Sequence, residues 1–268
     1  MSSNHIIRYA LGRRVHYGIV EDGATIARLA DAPWHGLRAS GERDTLAAAR
    51  VLTPVPLPRV FGLGYNYKAH SQEVGKPVPA APVLFMKPST SVIGPGEHIV
   101  YPAGGENIHF EGELVAIIGK QARHVPESRA LDHVLGYTCG NDVSDRVLQR
   151  RESEFGCLLA GKGYDTFAPM GPVIATGLDP SSLRIVTRVN GAVRQDGKTA
   201  DLLFPVPYLI AYLSRHMTLL PGDMIMTGTP AGVGPIKPGD TIEVEIPGIG
   251  VLVNDVVMEE LDARDTRG

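Results

Sequence analysis

Residues 107–119 read Asn-Ile-His-Phe-Glu-Gly-Glu-Leu-Val-Ala-Ile-Ile-Gly, and their pattern decides the fold class. Aromatic and β-branched residues bounded by Asn and Gly mark a strand. Side chains alternate along a strand, so His109, Glu111, Glu113, Val115 and Ile117 share one face. That face opens with two carboxylates and closes apolar. Two ionised carboxylates at such spacing repel unless a proton or a cation lies between them, which suits a hard divalent metal. A strand leaving the core at its start, with both acids in water, is the competing reading.

Working outward, strand-like segments follow closely from Arg59 onward. They include 59–66, 83–88, 133–143, 172–177, 184–195, 224–228, 241–247 and 251–257. Asn190-Gly191, inside Thr-Arg-Val-Asn-Gly-Ala-Val-Arg, is the strongest hairpin signal in the chain. Helical stretches are fewer. One follows Asn66 as its cap and ends at Gly75-Lys76-Pro77, a second spans about 144–155, and a third covers 207–217 with Pro207 in its first turn. Helices do not alternate regularly with strands, which disfavours a doubly wound sheet or a (β/α) barrel. The expected class is mainly β (α+β), with flanking helices.

Before residue 59, residues 15–30 alternate around Asp22-Gly23 as a hairpin, and 31–54 look helical or irregular. Thr53-Pro54-Val55-Pro56-Leu57-Pro58 then reads as an extended linker. A small β-rich N-terminal domain over 1–58 and a main domain over 59–268 are therefore expected. The 31 glycines and 21 prolines, about a fifth of the 268 residues, agree with many short elements joined by tight turns.

Composition excludes several classes. With 26 basic and 29 acidic side chains the net charge is −3, which leaves no electrostatic footprint for nucleic acid. No apolar run approaches the ~18 residues of a membrane helix, and the first residues lack the apolar core of a secretory signal. Cys139 and Cys157 are too few for a disulfide framework and read as small buried hydrophobes. Cytoplasm is the expected compartment.

Three further groups of residues carry chemistry. Asp142 lies where an apolar strand gives way to a helix, a place for an open site or simply for a capping aspartate. With Glu111 and Glu113 it would hold an octahedral ion and leave positions for water and substrate. His70 and Glu73, at i and i+3 of a short helix, can form a proton-transfer dyad or ordinary surface decoration. The loop 227–234, Thr-Gly-Thr-Pro-Ala-Gly-Val-Gly, brings backbone N–H groups and hydroxyls close to a ligand carboxylate, unless it is only a turn. Lys162 could add a cation there. The stretch 156–163 matches GxxxxGK but lacks the following Ser/Thr and a leading strand, so it is not read as a phosphate loop.

Taken in order, Gly-Leu-Gly-Tyr-Asn-Tyr-Lys-Ala-His-Ser-Gln-Glu-Val-Gly (62–75), the 85–96, 109–120, 136–149, 161–172 and 189–197 segments and 222–234 resemble the fumarylacetoacetate hydrolase superfamily. The resemblance covers about 59–255. It implies a mixed β-roll, β-sandwich-like fold, usually a homodimer, with one Mg²⁺ or Mn²⁺. It places Glu111, Glu113 and Asp142 as metal ligands, His70 and Glu73 as a catalytic dyad on a lid, and Lys162 as the active-site lysine. Substrate-binding positions implied are Thr229, Gly228, Arg146, Gln149 and Tyr65. The chain departs from the family pattern at His109-Phe110-Glu111, where members often read Asp-Tyr-Glu, at Asp145-Arg146-Val147 for Ala-Arg-Asp, and at Lys162-Gly163 for Lys-Ser. The activity implied is metal-dependent hydrolysis of a C–C bond in an acylpyruvate-type (2,4-dioxo) acid, of the kind met in aromatic catabolism. Isomerisation or decarboxylation of oxaloacetate-like or unsaturated 2-oxo dicarboxylic acids is the alternative. A non-catalytic metal- or oxo-acid-binding protein is the third reading. A small oxo acid is the expected partner, with neither nucleic acid nor membrane.

Overall fold

A computed structural model describes residues 4–260. Its centre is the strand Gly112–Ile118, every residue of which is buried. It pairs antiparallel with Val134–Asn141 on one side and Met224–Met226 on the other. Met224–Met226 runs parallel to Val60–Gly64, which pairs with Val83–Lys87. On the other side, Val134–Asn141 pairs with Ala168–Ala175. The sheet therefore mixes parallel and antiparallel neighbours, and the mainly β, α+β class holds.

Burial on both faces explains the unbroken apolar run in this strand. Leu114, Ala116 and Ile118 pack against Ile185, Val244, Ile246 and Leu252 of a second, five-stranded sheet. Val115 and Ile117 face the opposite way, toward Val60, Met170, Met224 and Met226. The helices are short: α1 (Lys68–Glu73), α2 (Arg146–Ser153), α3 (Ala160–Gly163) and α4 (Val206–His216). Leu209, Ile210 and Leu213 of α4 close the first of these cores. No helix among the described residues is long and apolar enough to cross a membrane.

The stretch 107–119 is not one strand. Ile108–Phe110 pairs with Ser144–Asp145 and Gly234–Pro235 in a small separate sheet, and the chain changes sheets at Glu111-Gly112. The glycine permits this crossing. A Cβ at Gly112 would lie 2.0 Å from Thr187 Oγ1, so a larger residue there would have to displace that side chain. His109 thus leaves the continuous face it was expected to share with Glu113.

Other local differences have simple causes. Asn66 does not cap α1. Its amide holds Phe204 N, Phe204 O and Thr227 O, and Tyr67 stands at the cap position. Helix α2 begins at Arg146 because Ser144–Asp145 is taken by a strand, while Asp145 Oδ1 accepts from the N–H groups of Val147 and Leu148. The Asn190-Gly191 turn forms as expected, both residues having positive φ (52° and 76°), and so joins Arg184–Val189 to Ala192–Lys198.

The N-terminal strands His5–Leu11, Arg14–Val20 and Thr25–Leu29 extend the central sheet through His5 and Ile6, which pair with Ala175 and Ile174. The segment expected to be helical or irregular contains a further strand, Ala39–Thr45, on Thr25–Leu29. Its polar sequence, Ala-Ser-Gly-Glu-Arg-Asp-Thr, shows no alternation because it is a mostly exposed edge. Asp44 anchors it by accepting from Arg28 (2.9 and 2.8 Å) and from the Tyr9 hydroxyl.

The Arg28 guanidinium holds the Asp44 carboxyl below its usual range, outweighing the burial that would raise it. A depressed folded-state value means stability that is present above the ordinary Asp range and lost as pH falls through the folded value. Asp44→Asn should therefore cost about 2 kcal/mol at neutral pH. In thermal unfolding at stepped pH, the gap from the wild type should close in acid.

Candidate active site

The sheet crossing at Glu111 builds the site. Gly112 pairs with Asn141, so Asp142, one residue beyond, lies beside Glu111, and its N–H donates to Glu111 O at 2.8 Å. Glu113 follows at the start of the central strand. One carboxylate oxygen from each of Glu111, Glu113 and Asp142 lies within 4.8 Å of the others. Their exposures are 4%, 1% and 0%, so the reading of solvated acids at a strand end fails.

Three cations offset these acids. Lys162 Nζ donates to Glu111 Oε2 (2.8 Å) and Asp142 Oδ2 (2.6 Å), and Arg146 donates to Glu111 Oε1 (2.5 Å). Lys87 Nζ spends its hydrogens on the carbonyls of Val143, Lys162 and Phe167 and stands 2.7 Å from Asp142 Oδ1. The Gly228 N–H donates to Glu113 Oε2 at 2.8 Å.

The three carboxyls do not share one environment. Burial raises Glu111, but the charges of Arg146 and Lys162 outweigh it and hold the group well below the carboxylate range. Glu113 is pushed well above that range by burial and by the charges of Asp142 and Glu111. Lys162 is raised: burial disfavours its charge, yet Asp142 and Glu111 prevail. For Lys87 burial prevails, and its value is lowered.

The buried Glu113 Oε1 has no hydrogen-bond donor, and Asp142 Oδ1 has only the Lys87 ammonium beside it. An unpartnered carboxylate oxygen within a three-acid cluster belongs to the donor set of a hard divalent cation. The residues present fit such an ion.

Beside the cluster lies a cavity of about 510 Å³. Tyr65, His70, Glu111, Arg146, Gln149, Lys162 and Thr229 line it, so the structure brings together most of the residues singled out in the sequence. His70 is buried, with Nδ1 3.2 Å from Glu73 Oε2. Glu73 Oε1 also accepts from Gly232 N at 2.9 Å, so one carboxylate ties α1 to the 227–234 loop. Tyr65, at φ +59°, stacks on the His70 ring. Gly228 is not on the cavity wall, and its amide N–H is turned to Glu113 Oε2. Thr229 is on the wall, with its hydroxyl donating to Gly112 O and accepting from Gln195 Nε2.

Sequence reasoning gave no role to Lys87, Gln195 or His109. A lysine two residues from Phe85 on an apolar strand is a signal of a buried counter-charge, and Lys87 has one. Gln195, fully buried, fixes both Thr229 and the Gly112 N–H across the sheet crossing. His109 lines the cavity, and burial with the nearby Arg146 charge lowers it to about 4. Cys139 is buried as expected, but Cys157 is exposed between α2 and α3. Lys162 spends its amine on carboxylates, consistent with rejecting a phosphate loop at 156–163.

The chain matches the family model described as fumarylacetoacetate (FAA) hydrolase, C-terminal, over residues 59–257, and the model Rv2993c-like, N-terminal, over 4–54. A solved 5-carboxymethyl-2-hydroxymuconate delta-isomerase from Mycobacterium smegmatis is 43% identical, with a TM-score of 0.88 over 95% of this chain and 100% of that one. A fumarylpyruvate hydrolase from Pseudomonas aeruginosa, solved with Mn²⁺ and pyruvate, is 37% identical, with a TM-score of 0.73 over 78% of this chain and 92% of that one. The 4-hydroxyphenylacetate degradation bifunctional isomerase/decarboxylase of Escherichia coli is 45% identical over 77% of this chain and 48% of its own length. The chain belongs to the fumarylacetoacetate hydrolase family.

Glu113→Gln replaces one carboxylate oxygen of the cluster by an amide nitrogen while keeping the volume. Mn²⁺ affinity, read from the electron paramagnetic resonance of the free ion, should fall at least about tenfold. An unchanged affinity would remove Glu113 from the ligand set.

Proposed function

We propose that this family member is a metal-dependent enzyme of small 2-oxo acids, and that it hydrolyses a C–C bond in an acylpyruvate. The observation that carries this reading is His70, buried on α1 and lining the cavity that also holds Glu111 and Lys162, with the more exposed Glu73 behind it within 3.2 Å of Nδ1. A binding protein has no need of a proton-transfer dyad beside a charge cluster.

A divalent cation held by Glu111, Glu113 and Asp142 supplies, when bound, electrophilic stabilisation of negative charge on the substrate's oxo group. Arg146, Gln149 and Thr229 orient the acid's carboxylate end from the facing walls. Glu73 accepts a hydrogen bond from His70 Nδ1–H, which fixes the tautomer with Nε2 free to take a proton. His70 then draws that proton from a water as its oxygen adds to the distal carbonyl. The C–C bond breaks, its electron pair passes into a pyruvate enolate, and the Lys162 ammonium offsets the charge that develops. A proton returned to the enolate carbon gives pyruvate and the second carboxylic acid. Glu73 also holds Gly232, so α1 must be docked on the 227–234 loop for His70 to be aligned.

Similarity to an isomerase and to an isomerase/decarboxylase supports a second reading, in which the same enolate chemistry proceeds without water addition. In ¹⁸O-labelled water, hydrolysis puts one solvent oxygen into the new carboxylate, whereas isomerisation yields no second acid at all. His70→Ala should lower kcat about 10²- to 10⁴-fold. Full activity in that variant would overturn the assigned base. Loss of dioxo acid that survives chelator would overturn the metal requirement.

A further inference from the structure

Tyr65 holds its backbone in the left-handed region, at φ +59°. For a bulky side chain this conformation crowds Cβ against the backbone, and glycine is the residue that adopts it freely. The chain places glycine at 62 and 64, yet tyrosine where the left-handed turn falls. The turn is imposed from both sides. Gly64 ends its strand paired with Val83. Asn66 is locked by donating to Phe204 O (3.0 Å) and Thr227 O (2.7 Å) and accepting from Phe204 N (2.9 Å). Ser71 Oγ then donates to Tyr65 O at 3.2 Å, which ties the turn to α1. Glycine would satisfy all of these backbone contacts, so the reason for a tyrosine lies in what its ring touches.

That ring touches His70. The two ring centroids lie 6.4 Å apart, with the planes inclined by 20°. Of the five non-glycine residues at positive φ among the described residues, Tyr65 alone lines the cavity. Glu73 Oε2, 3.2 Å from His70 Nδ1, fixes one edge of the imidazole but leaves the ring free to tilt about that hydrogen bond. A second aromatic ring stacked on its face opposes the tilt.

We propose that Tyr65 is a positioning residue, kept in a left-handed backbone so that its ring holds the His70 imidazole in the plane that aims Nε2 into the cavity. This rests on the reading of His70 as the proton acceptor, and it assigns Tyr65 to the base rather than to the substrate. Backbone strain is thereby placed where it secures a side chain of the reaction.

Three substitutions in the full chain separate the ring from the backbone. Tyr65→Phe keeps the ring, Tyr65→Ala removes it but keeps the strained Cβ, and Tyr65→Gly removes both. Deuterium exchange at the His70 C2 position, read by mass spectrometry of the peptide that carries it, should speed up several-fold in the alanine and glycine variants. In Tyr65→Phe it should stay at the wild-type rate. With Mg²⁺ and an acylpyruvate, kcat should fall about 10- to 100-fold in the alanine and glycine variants at little-changed KM, and Tyr65→Phe should recover most of it. In thermal unfolding Tyr65→Gly should melt above Tyr65→Ala, because it alone relieves the left-handed backbone. Wild-type exchange in Tyr65→Gly, a rise in KM in place of the fall in kcat, or Tyr65→Gly melting below Tyr65→Ala overturns the proposal. The expected exchange and melting pattern in a protein that consumes no acylpyruvate supports the positioning role and refutes the hydrolase reading.

Discussion

Three carboxylates buried within 4.8 Å of one another constrain everything around them. Removing one such charge from water costs several kcal/mol even after relaxation, and mutual repulsion adds to it. The fold answers with Lys87, Lys162 and Arg146, with the Gly228 amide, and with a strand crossing that brings Glu111 and Asp142 side by side. Three acids against three bases leave the cluster near neutrality. A divalent cation added there would call for anionic ligands, in keeping with the oxo acid proposed as substrate.

The crossing at Gly112 decides how this cluster meets the cavity. Had Ile108–Ile118 run on as one strand, Glu111 and Glu113 would lie on one face of one sheet, about 7 Å apart. The break between sheets lets them converge and leaves Glu111 on the cavity wall while Glu113 stays behind it. Gln195 and Thr187, both from the hairpin around Asn190-Gly191, pack against that break. A turn distant in sequence thus supports the geometry of the acids.

Much of this was legible in the residues. Strand-forming segments separated by Gly and Pro pointed to the mainly β class, and the alternation over 109–117 marked a strand face that opens acidic and closes apolar. The acids stood out as the charged start of an apolar face, the His70–Glu73 pair by its i, i+3 spacing, and Lys162 as a cation for a loop-bound carboxylate and through the family resemblance. The crossing was hidden because a period of two continues through Glu111 whether or not the sheet does. Ala39–Thr45 was hidden because an exposed edge carries no apolar face. Lys87 escaped notice because its partners lie 56 to 80 residues away in the chain. The role of the Gly228 amide depends on backbone direction, which residue type does not encode.

The junction of the N-terminal strands with the central sheet has a bearing on solubility. The outer edge of Ala168–Ala175 is shared between Val92–Ile93, which pairs with Ala168 and Pro169, and His5–Ile6, which pairs with Ile174 and Ala175. Pro172, between them, has no N–H to offer. Among the described residues, none before Leu63 lines the cavity, so the first strands bring no group to it. What they do is occupy hydrogen-bonding positions that would otherwise face water on a strand flanked by Ile174 and Met170, an open template for adding a foreign strand. In this fold the N-terminal segment moves the sheet edge from Ala168–Ala175 out to the polar strand Ala39–Thr45.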